Sequence, residues 1–329
     1  MHLPVRSWLA AAASLLLVLT AEGARGGPEP ITALPAPPSL EPARVRLGER
    51  LFFDPRLSRD GSASCASCHD LDRGGDDGRA RSIGRGDRLL NYNAPTVFNA
   101  ALNPTLNWRG NFHGLEAHVE AVLLDPELIG ASWPPLLARL EADGWYRVAF
   151  DAAYGRGPER ALVIDAIASF ERTLVTPGSR FDRFLAGDGG AITAEERRGY
   201  ELFKAYGCVA CHQGRNVGGN LFQRFGIFDR PMGSGAPMAA AELGRFAITG
   251  DERDRHVFRV PSLRNVAVTG PYFHDGRTAS LAGAVTVMGR SQLGLALPET
   301  DIAGIVAFLG TLTGAYRGRP LTDDAPPVR

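Results

Sequence analysis

All four cysteines of this 329-residue chain lie in two short runs of the same form, C-x-x-C-H. Two thiols at this spacing can add to the two vinyl groups of a haem, and the histidine that follows can then bind the iron from one face. Chance rarely produces one such run, and this chain has two. The sequence therefore predicts two covalently attached haem c groups. Their protein ligands are Cys65, Cys68, His69, Cys208, Cys211 and His212.

Other uses of paired cysteines fit this spacing less well. A zinc ribbon places its two pairs about 15–20 residues apart, whereas roughly 140 residues separate the pairs here. A disulfide framework is typical of short secreted chains. A dithiol redox motif would lie in a thioredoxin-like βαβ pattern, which we do not find in the sequence. Haem attachment is favoured because it also explains why a histidine directly follows each cysteine pair.

Length and charge limit the class of protein. A chain of 329 residues is long enough for two domains with sizeable cores. The 36 basic residues balance the 36 acidic residues, so the net charge is near zero. Nothing in this composition favours a nucleic-acid partner.

The two ends of the chain have the composition of segments outside a folded core. Residues 1–24 combine a basic start, an apolar run at Leu9–Leu19 and small residues, which predicts an export signal and a periplasmic protein. An uncleaved anchor is the alternative, but a bilayer span needs about 20 apolar residues. Residues 25–42 are rich in proline and predict an extended linker. Residues 317–329 predict a loosely held tail.

The sequence around the second C-x-x-C-H run repeats the sequence around the first. A G-x-x-L-F motif precedes each run, beginning at Gly48 and at Gly199, and the second motif follows a capping box made by Thr193 and Glu196. Downstream, residues 93–99 resemble residues 259–265, and the register then continues without a gap for about 30 residues. We infer a tandem duplication.

Strand signals are sparse, and most apolar periodicity is helical. The predicted fold is mainly α with few strands. It consists of two tandem cytochrome c-like domains, residues 43–175 and 176–316, each built round one covalently attached haem c.

The repeat predicts different ligands for the two irons. Met288 follows the second run on a helix and can bind the second iron through sulfur, although most methionines only fill cores. Its repeat partner is Val122, which cannot bind iron, so the first iron has an open position for a small oxidant. One turn earlier, His118 can ligate that iron or act as general acid and base on bound peroxide. A surface role remains open for His118, and His113 is a less favoured candidate.

Trp108 lies between the repeated segment at residues 93–99 and the helix that carries His118 and Val122. A tryptophan in such a position can fill a core or an interface. It can also relay electrons between the two haems, which is the role that we assign to it. Its repeat partner, His274, is expected to form a hydrogen bond near the second haem, without a metal.

Together these residues resemble the bacterial di-haem cytochrome c peroxidases, a family that also contains MauG-like enzymes. The resemblance extends from about Leu47 to Gly314. It rests on the two C-x-x-C-H runs and on residues 51–55, 93–96, 218–220, 250–251, 260–265 and 272–276. It implies reduction of hydrogen peroxide to water, with electrons from a small cytochrome c or a blue-copper protein. The first haem would be peroxidatic, and the second would receive and store electrons. Relatives commonly form a homodimer.

The resemblance also implies individual site residues. A calcium ion between the domains would be held by the Asn93 side chain and by the backbone carbonyls of Thr269 and Pro271, since calcium prefers oxygen ligands. The relay tryptophan of relatives corresponds to Trp108, and their methionine ligand corresponds to Met288.

This chain departs from the family pattern on the distal side of the first haem. Arg85 stands where many relatives have a histidine that caps the resting iron, and a protonated arginine cannot be a ligand. His118 stands in place of the distal glutamine, and the distal glutamate corresponds to Leu128, with Glu127 adjacent. Either His118, together with Glu127, supplies the acid and base, or the chemistry differs from that of the family. An iron that no histidine caps would need no reductive activation.

Two other functions stay open at this point. One is MauG-like oxidation of a protein substrate, although such relatives usually carry tyrosine where this chain has Met288. The other is a di-haem electron carrier without turnover, which a capped first haem would favour.

Overall fold

The computed structural model describes residues 29–229 and 240–322. The predicted export signal, residues 1–24, lies outside these ranges. The described chain is mainly helical, as expected. Its α-helices are α1 (Pro42–Phe53), α2 (Leu115–Leu124), α3 (Trp133–Ala142), α4 (Gly144–Tyr154), α5 (Arg160–Thr173), α6 (Arg180–Leu185), α7 (Ala194–Ala205), α8 (Phe246–Thr249), α9 (Leu281–Leu293) and α10 (Glu299–Gly310). Its strands form two short antiparallel pairs, β1 (Phe222–Arg224) with β2 (Val257–Arg259), and β3 (Ala315–Tyr316) with β4 (Arg319–Pro320).

Each unit is organised round one pair of crossed helices, α1 with α5 and α7 with α10. The predicted capping box begins α7, because the Thr193 side chain and the Glu196 side chain each bond the other residue's backbone N–H. A glycine lies at each crossing. A methyl group on Gly48 would lie 1.8 Å from the carbonyl oxygen of Ala166, and one on Gly199 would lie 1.9 Å from that of Gly304. Only glycine allows the helices to approach so closely.

A methyl group at either crossing is expected to destabilise its unit. Gly199→Ala must push α7 away from the α10 backbone, which should lower the free energy of unfolding by about 1–3 kcal/mol. Gly310→Ala is the matched control, because this glycine ends α10 with no atom within 4 Å of the added carbon. It should leave stability within about 1 kcal/mol of the parent. Denaturant titration followed by circular dichroism measures both variants, and equal midpoints would contradict the crossing argument.

The predicted duplication is confirmed by the backbone. Asn99 and Asn265 both adopt left-handed conformations, with φ of 61° and 62°. Asparagine tolerates this region better than most residues. The two N–H groups bond the carbonyls of Leu174 and Leu312 at 2.7 and 3.3 Å. Both side-chain amides donate to the Thr176 hydroxyl, at 2.9 and 3.1 Å. Equivalent asparagines therefore meet at the predicted boundary between the two domains.

The repeat continues into residues 106–112 and 272–278, the segments that precede helices α2 and α9. Asn107 and its repeat partner Phe273 have φ of 70° and 72°. An isolated bridge joins residues 106 and 112 in the first unit, and its equivalent joins residues 272 and 278 in the second. Helices α2 and α9 then begin at equivalent positions, Leu115 and Leu281. The two distal helices consequently carry Val122 and Met288 at the same place.

The first and last described segments of the chain are packed more firmly than the sequence predicts. In the supposed linker, Ile31 is buried in the second core and bridges to Gly214. In the supposed tail, Leu321 is buried against Phe52 and Leu71 of the first unit. The prediction of a loose tail is therefore wrong for residues 317–322. Residues 29–41 contribute Ile31 to the second core in addition to linking. Each end packs on the unit that is distant from it in sequence, which ties the two units together.

Candidate haem-binding sites

The first C-x-x-C-H run follows α1 as a single 3₁₀ turn, Cys65–Ser67. The His69 N–H bonds the Cys65 carbonyl at 3.1 Å, and the His69 ring Nδ1 lies 3.0 Å from the Gly75 carbonyl. Because a carbonyl can only accept, Nδ1 carries the proton and Nε2 is left for iron. The Phe52 ring lies 6.5 Å from the imidazole. Burial lowers the pKa of His69, which keeps the ring neutral, as a ligand must be.

The second run has the same geometry. Cys208–Ala210 form a 3₁₀ turn, and the His212 Nδ1 lies 3.2 Å from the Val217 carbonyl. Burial lowers the pKa of His212 to about 4, against the opposing effect of the carbonyls of Val217 and Pro261. Gly218 lies so close that a side-chain carbon there would be 3.3 Å from Nδ1. In both sites the second ring nitrogen of the histidine therefore lies against a backbone carbonyl that can accept its proton.

The chemistry of both sites fits haem c. Burial raises the pKa of the Cys68 and Cys208 thiols, each to about 11. Dithiol redox motifs instead need thiols with a lowered pKa. Within the described ranges, buried polar atoms without a hydrogen-bond partner include Arg109 Nε, Asn111 Oδ1 and Asn216 Oδ1. Such atoms are rare in native proteins unless something else binds them, and a haem propionate could accept a hydrogen bond from the Arg109 Nε–H.

The distal helices differ between the two units. Val122 on α2 packs against the first core, and Met288 on α9 lies one turn beyond the buried Ala284. His118 lies one turn before Val122, with its ring 5.3 Å from that of Phe112. Burial lowers the pKa of His118 to about 4, and the positive charge of Arg259 acts in the same direction. At neutral pH this imidazole is therefore uncharged and can accept a proton.

Trp108 lies where the two units meet. Its indole N–H donates to the Asn93 carbonyl at 2.8 Å, and its ring lies edge to face with His274 at 6.3 Å. The backbone pairs across this contact in a symmetric way. The Asn93 N–H bonds the His274 carbonyl at 2.8 Å, and the Arg259 N–H bonds the Trp108 carbonyl at 2.9 Å. In the repeat, Asn93 corresponds to Arg259 and Trp108 corresponds to His274. A pseudo-twofold axis therefore passes between Trp108 and His274.

Of the residues expected to hold calcium, Asn93 lies beside this axis, where its carbonyl accepts from the Trp108 indole. The Asn93 amide N–H donates to the Arg79 carbonyl at 2.8 Å, so its side-chain oxygen points away from that bond. Thr269 and Pro271 lie on the second-unit loop that contacts this region, where the Val268 carbonyl and the Thr269 methyl pack against Gly74. The peptide bond between Gly270 and Pro271 is cis.

Arg85 and Glu127 are both used in ion pairs. Arg85 bonds the Asp60 carboxylate at 3.0 Å and the Pro126 carbonyl at 2.9 Å. Its side chain thereby fastens the loop of residues 83–89 to the loop after α2. The Glu127 carboxylate pairs with Arg88 at 2.8 Å and is 38% exposed. The described residues show no contact between Glu127 and His118, so the structure does not bring these two candidates together.

Two functional candidates were missed by the sequence analysis. Glu242 pairs with the buried His274 at 3.2 Å and with Arg277, beside the Trp108 contact. Arg259 is 5% exposed and lies between the units. Both belong to long-range contacts, and no local pattern singles them out.

The geometry defines a di-haem c-type cytochrome with two related halves. The family model of the di-haem cytochrome c peroxidases matches residues 42–190. A cytochrome c551 peroxidase of Nitrosomonas europaea is 41% identical over 92% of this chain and 89% of its own length. Cytochrome c peroxidase Ccp of Escherichia coli is 43% identical over 88% of this chain, which spans 62% of that relative. The chain therefore belongs to the family of di-haem cytochrome c peroxidases, which are haem-dependent oxidoreductases.

Solved structures agree with this assignment. A MauG-like protein associated with microbial copper homeostasis superposes with a TM-score of 0.76 at 31% identity, covering 90% of this chain and 97% of that one. The di-haem peroxidase BthA from Burkholderia thailandensis E264 has the same fold, with a TM-score of 0.70 at 20% identity over 84% of this chain and 87% of that one. Within residues 29–229 and 240–322, none of the helices has the length and apolar character needed to cross a bilayer.

Proposed function

We propose that this protein reduces hydrogen peroxide to water in the periplasm, with electrons from a small cytochrome c or copper protein. The observation that carries the proposal is the difference between two otherwise equivalent distal helices. Met288 offers sulfur to the second site, whereas Val122 leaves the first site without a ligand at that position. A site with an open position suits peroxide, and a site with two axial ligands suits electron transfer.

The haem at the first site would supply the iron to which peroxide binds and the electrons that cleave its O–O bond. His69 holds that iron from the proximal side, with its ring fixed by the Gly75 carbonyl. His118, uncharged at neutral pH, takes the proton from the inner peroxide oxygen and returns it to the departing one. The role of Glu127 is secondary, because its carboxylate is paired with Arg88.

His212 and Met288 would hold the second haem, which would receive electrons from the donor and pass them to the first. Trp108 suits a relay, because its buried ring lies beside the pseudo-twofold axis between the units. Its N–H is fixed by the Asn93 carbonyl, which holds the indole in one orientation.

Arg85 keeps the first distal side open in this proposal. The bonds to Asp60 and Pro126 engage its guanidinium at a point where relatives can place a capping histidine. The protein should therefore react with peroxide without prior reduction of either haem. The test adds peroxide to the fully oxidised protein and follows the haem spectrum. A capped, unreactive first haem in that state would contradict this part of the proposal.

The overall proposal is tested by steady-state oxidation of a reduced cytochrome c with hydrogen peroxide. We expect one peroxide consumed for every two cytochromes oxidised, since each peroxide needs two electrons. A protein with two six-coordinate haems and no turnover would instead be an electron carrier.

MauG-like oxidation of a protein substrate is the second candidate. It is favoured by the 31% identity and TM-score of 0.76 to the MauG-like protein. Met288 argues against it, because MauG-like relatives usually carry tyrosine at this position. Turnover with a reduced cytochrome but no cross-linking or oxidation of an added protein would exclude it.

We also propose one calcium ion between the domains, held by Asn93, Thr269 and Pro271. Asn93→Ala removes the side-chain ligand and should weaken calcium binding by about 10–100-fold, a range typical of losing one supporting group at a metal site. Asn91→Ala is the control, since Asn91 is exposed two residues away. Calcium content after dialysis against graded chelator measures the effect. Equal retention by the two variants would contradict the assignment.

A further inference from the structure

Arg259 is a buried cation that forms no ion pair within the described part of the chain. It ends β2 of the second unit and is 5% exposed. Its Nε donates to the Asn107 carbonyl at 3.0 Å, and its Nη1 is buried with no hydrogen-bond partner in the described chain. No acidic side chain among the described residues forms an ion pair with it. Burial accordingly lowers the pKa of Arg259 to about 10, which still leaves it charged at neutral pH.

An isolated buried charge costs several kcal/mol and is normally paired or bound to something. The surroundings point to an anion that the protein chain does not supply. Nη1 lies 3.7 Å from the position that a side-chain carbon of Gly219 would occupy, and Gly219 adjoins Gly218, which packs on the ring of His212. On the other side, the charge of Arg259 reaches His118 of the first unit. Arg259 therefore lies between the proximal loop of one haem site and the distal helix of the other.

The repeat strengthens this point. Arg259 is the partner of Asn93, and each residue's N–H bonds the carbonyl of the residue opposite it across the pseudo-twofold axis. The sequence therefore places an amide oxygen on one side of the axis and a guanidinium on the other. If Arg259 served only to fill space at this position, an uncharged side chain would be sufficient.

We propose that Arg259 binds a propionate carboxylate of one of the two haems at the boundary between the units. A guanidinium matches a carboxylate in shape and charge, and each haem that the two C-x-x-C-H runs attach carries such groups. Arg259 thereby acts as a positioning residue that fixes the haem edge beside Trp108 and favours the reduced haem electrostatically. The proposal rests on haem attachment and is independent of peroxidase activity.

The test compares reduction potentials of the haem-loaded protein. Arg259→Gln removes the charge, and the reduction equilibrium of one haem should fall about tenfold, which is about 59 mV for a one-electron couple. The haem whose reduction potential changes is the one that carries the propionate bound by Arg259. Arg259→Lys keeps the charge and should shift the same potential less. Arg253→Gln is the control, because its guanidinium is 90% exposed and pairs with Asp251 in solvent; both potentials should stay unchanged.

A crystal structure of the haem-loaded parent provides a result that no variant's folding can affect. We expect Nη1 within hydrogen-bond distance of a propionate oxygen. Unchanged potentials in Arg259→Gln with full haem content would overturn the proposal. So would a parent structure in which Nη1 bonds only protein or water while all propionates lie elsewhere.

Discussion

His118→Ala is expected to slow peroxide cleavage by about 10²–10⁴-fold, the contribution typical of a general acid–base residue. The reason is geometric and electrostatic. His118 lies on α2 one turn from Val122, and its burial, together with the nearby positive charge of Arg259, keeps its ring uncharged at neutral pH. Removing the ring leaves Glu116 and Glu120 as the titratable side chains of α2, and both are engaged in ion pairs, with Arg172 and Arg160. Stopped-flow absorbance of the haem band after mixing with peroxide measures the rate.

The control for this experiment is His113→Ala. His113 is exposed and precedes the helix, so its loss should leave the rate near that of the parent. His118→Gln restores the residue type found in relatives and should recover part of the rate if a hydrogen bond contributes as well as proton transfer. An unchanged rate in His118→Ala would show that another group moves the proton, and Glu127→Gln would then be the next variant.

The acidity of His118 also predicts a pH dependence. Its pKa is lowered to about 4 by burial and by the charge of Arg259, so the neutral, proton-accepting form predominates above that value. The Phe112 ring, which packs on it, adds no charge. The rate of peroxide cleavage should therefore be level from neutral pH downward and should fall as the pH approaches 4. A decline centred near pH 6.5 would indicate an imidazole with an ordinary pKa.

Much of this architecture could be read from the sequence because it is encoded locally or by repetition. The C-x-x-C-H runs fix both turns within five residues. The repeat placed Met288 opposite Val122, and the structure confirms that register through the left-handed asparagines, Asn99 and Asn265. A duplicated unit carries its geometry in its own sequence, so the comparison of two copies reveals which side chain has changed.

Other features could not be predicted, because they depend on contacts between distant segments. Nothing near Arg259 in the sequence shows that its side chain is buried without a carboxylate. The pairing of Glu127 with Arg88 joins two loops, and it turns a candidate acid–base residue toward the surface. The ends of the chain were misread for a related reason. Proline-rich composition indicates an extended backbone, but it does not show whether Ile31 or Leu321 has a core to enter.

Met288→Leu is expected to remove the sulfur ligand of the second iron while preserving the shape of the helix, since leucine and methionine have similar volumes. Axial ligands set haem potentials over about 0.8 V, so the potential of the second haem should fall by several tenths of a volt. A weak donor would then no longer reduce it, and turnover with reduced cytochrome should fall at least about tenfold, given that each 59 mV is a factor of ten for one electron. Redox titration and the thioether-to-iron charge-transfer band measure these effects.

The chain offers both a control and a reciprocal experiment for the ligand assignment. Met232 and Met238 are the other methionines after the initiator, and changing each to leucine should leave the band intact. Val122→Met places a thioether at the equivalent position of the first unit and should close the first iron, which would suppress its reaction with peroxide. Because α2 and α9 begin at equivalent residues, the two substitutions exchange the same group between the same positions. Two results would contradict the assignment: a thioether-to-iron charge-transfer band that persists in Met288→Leu, or a first haem that still reacts with peroxide in Val122→Met. Either would mean that positions 122 and 288 are not equivalent relative to the two irons.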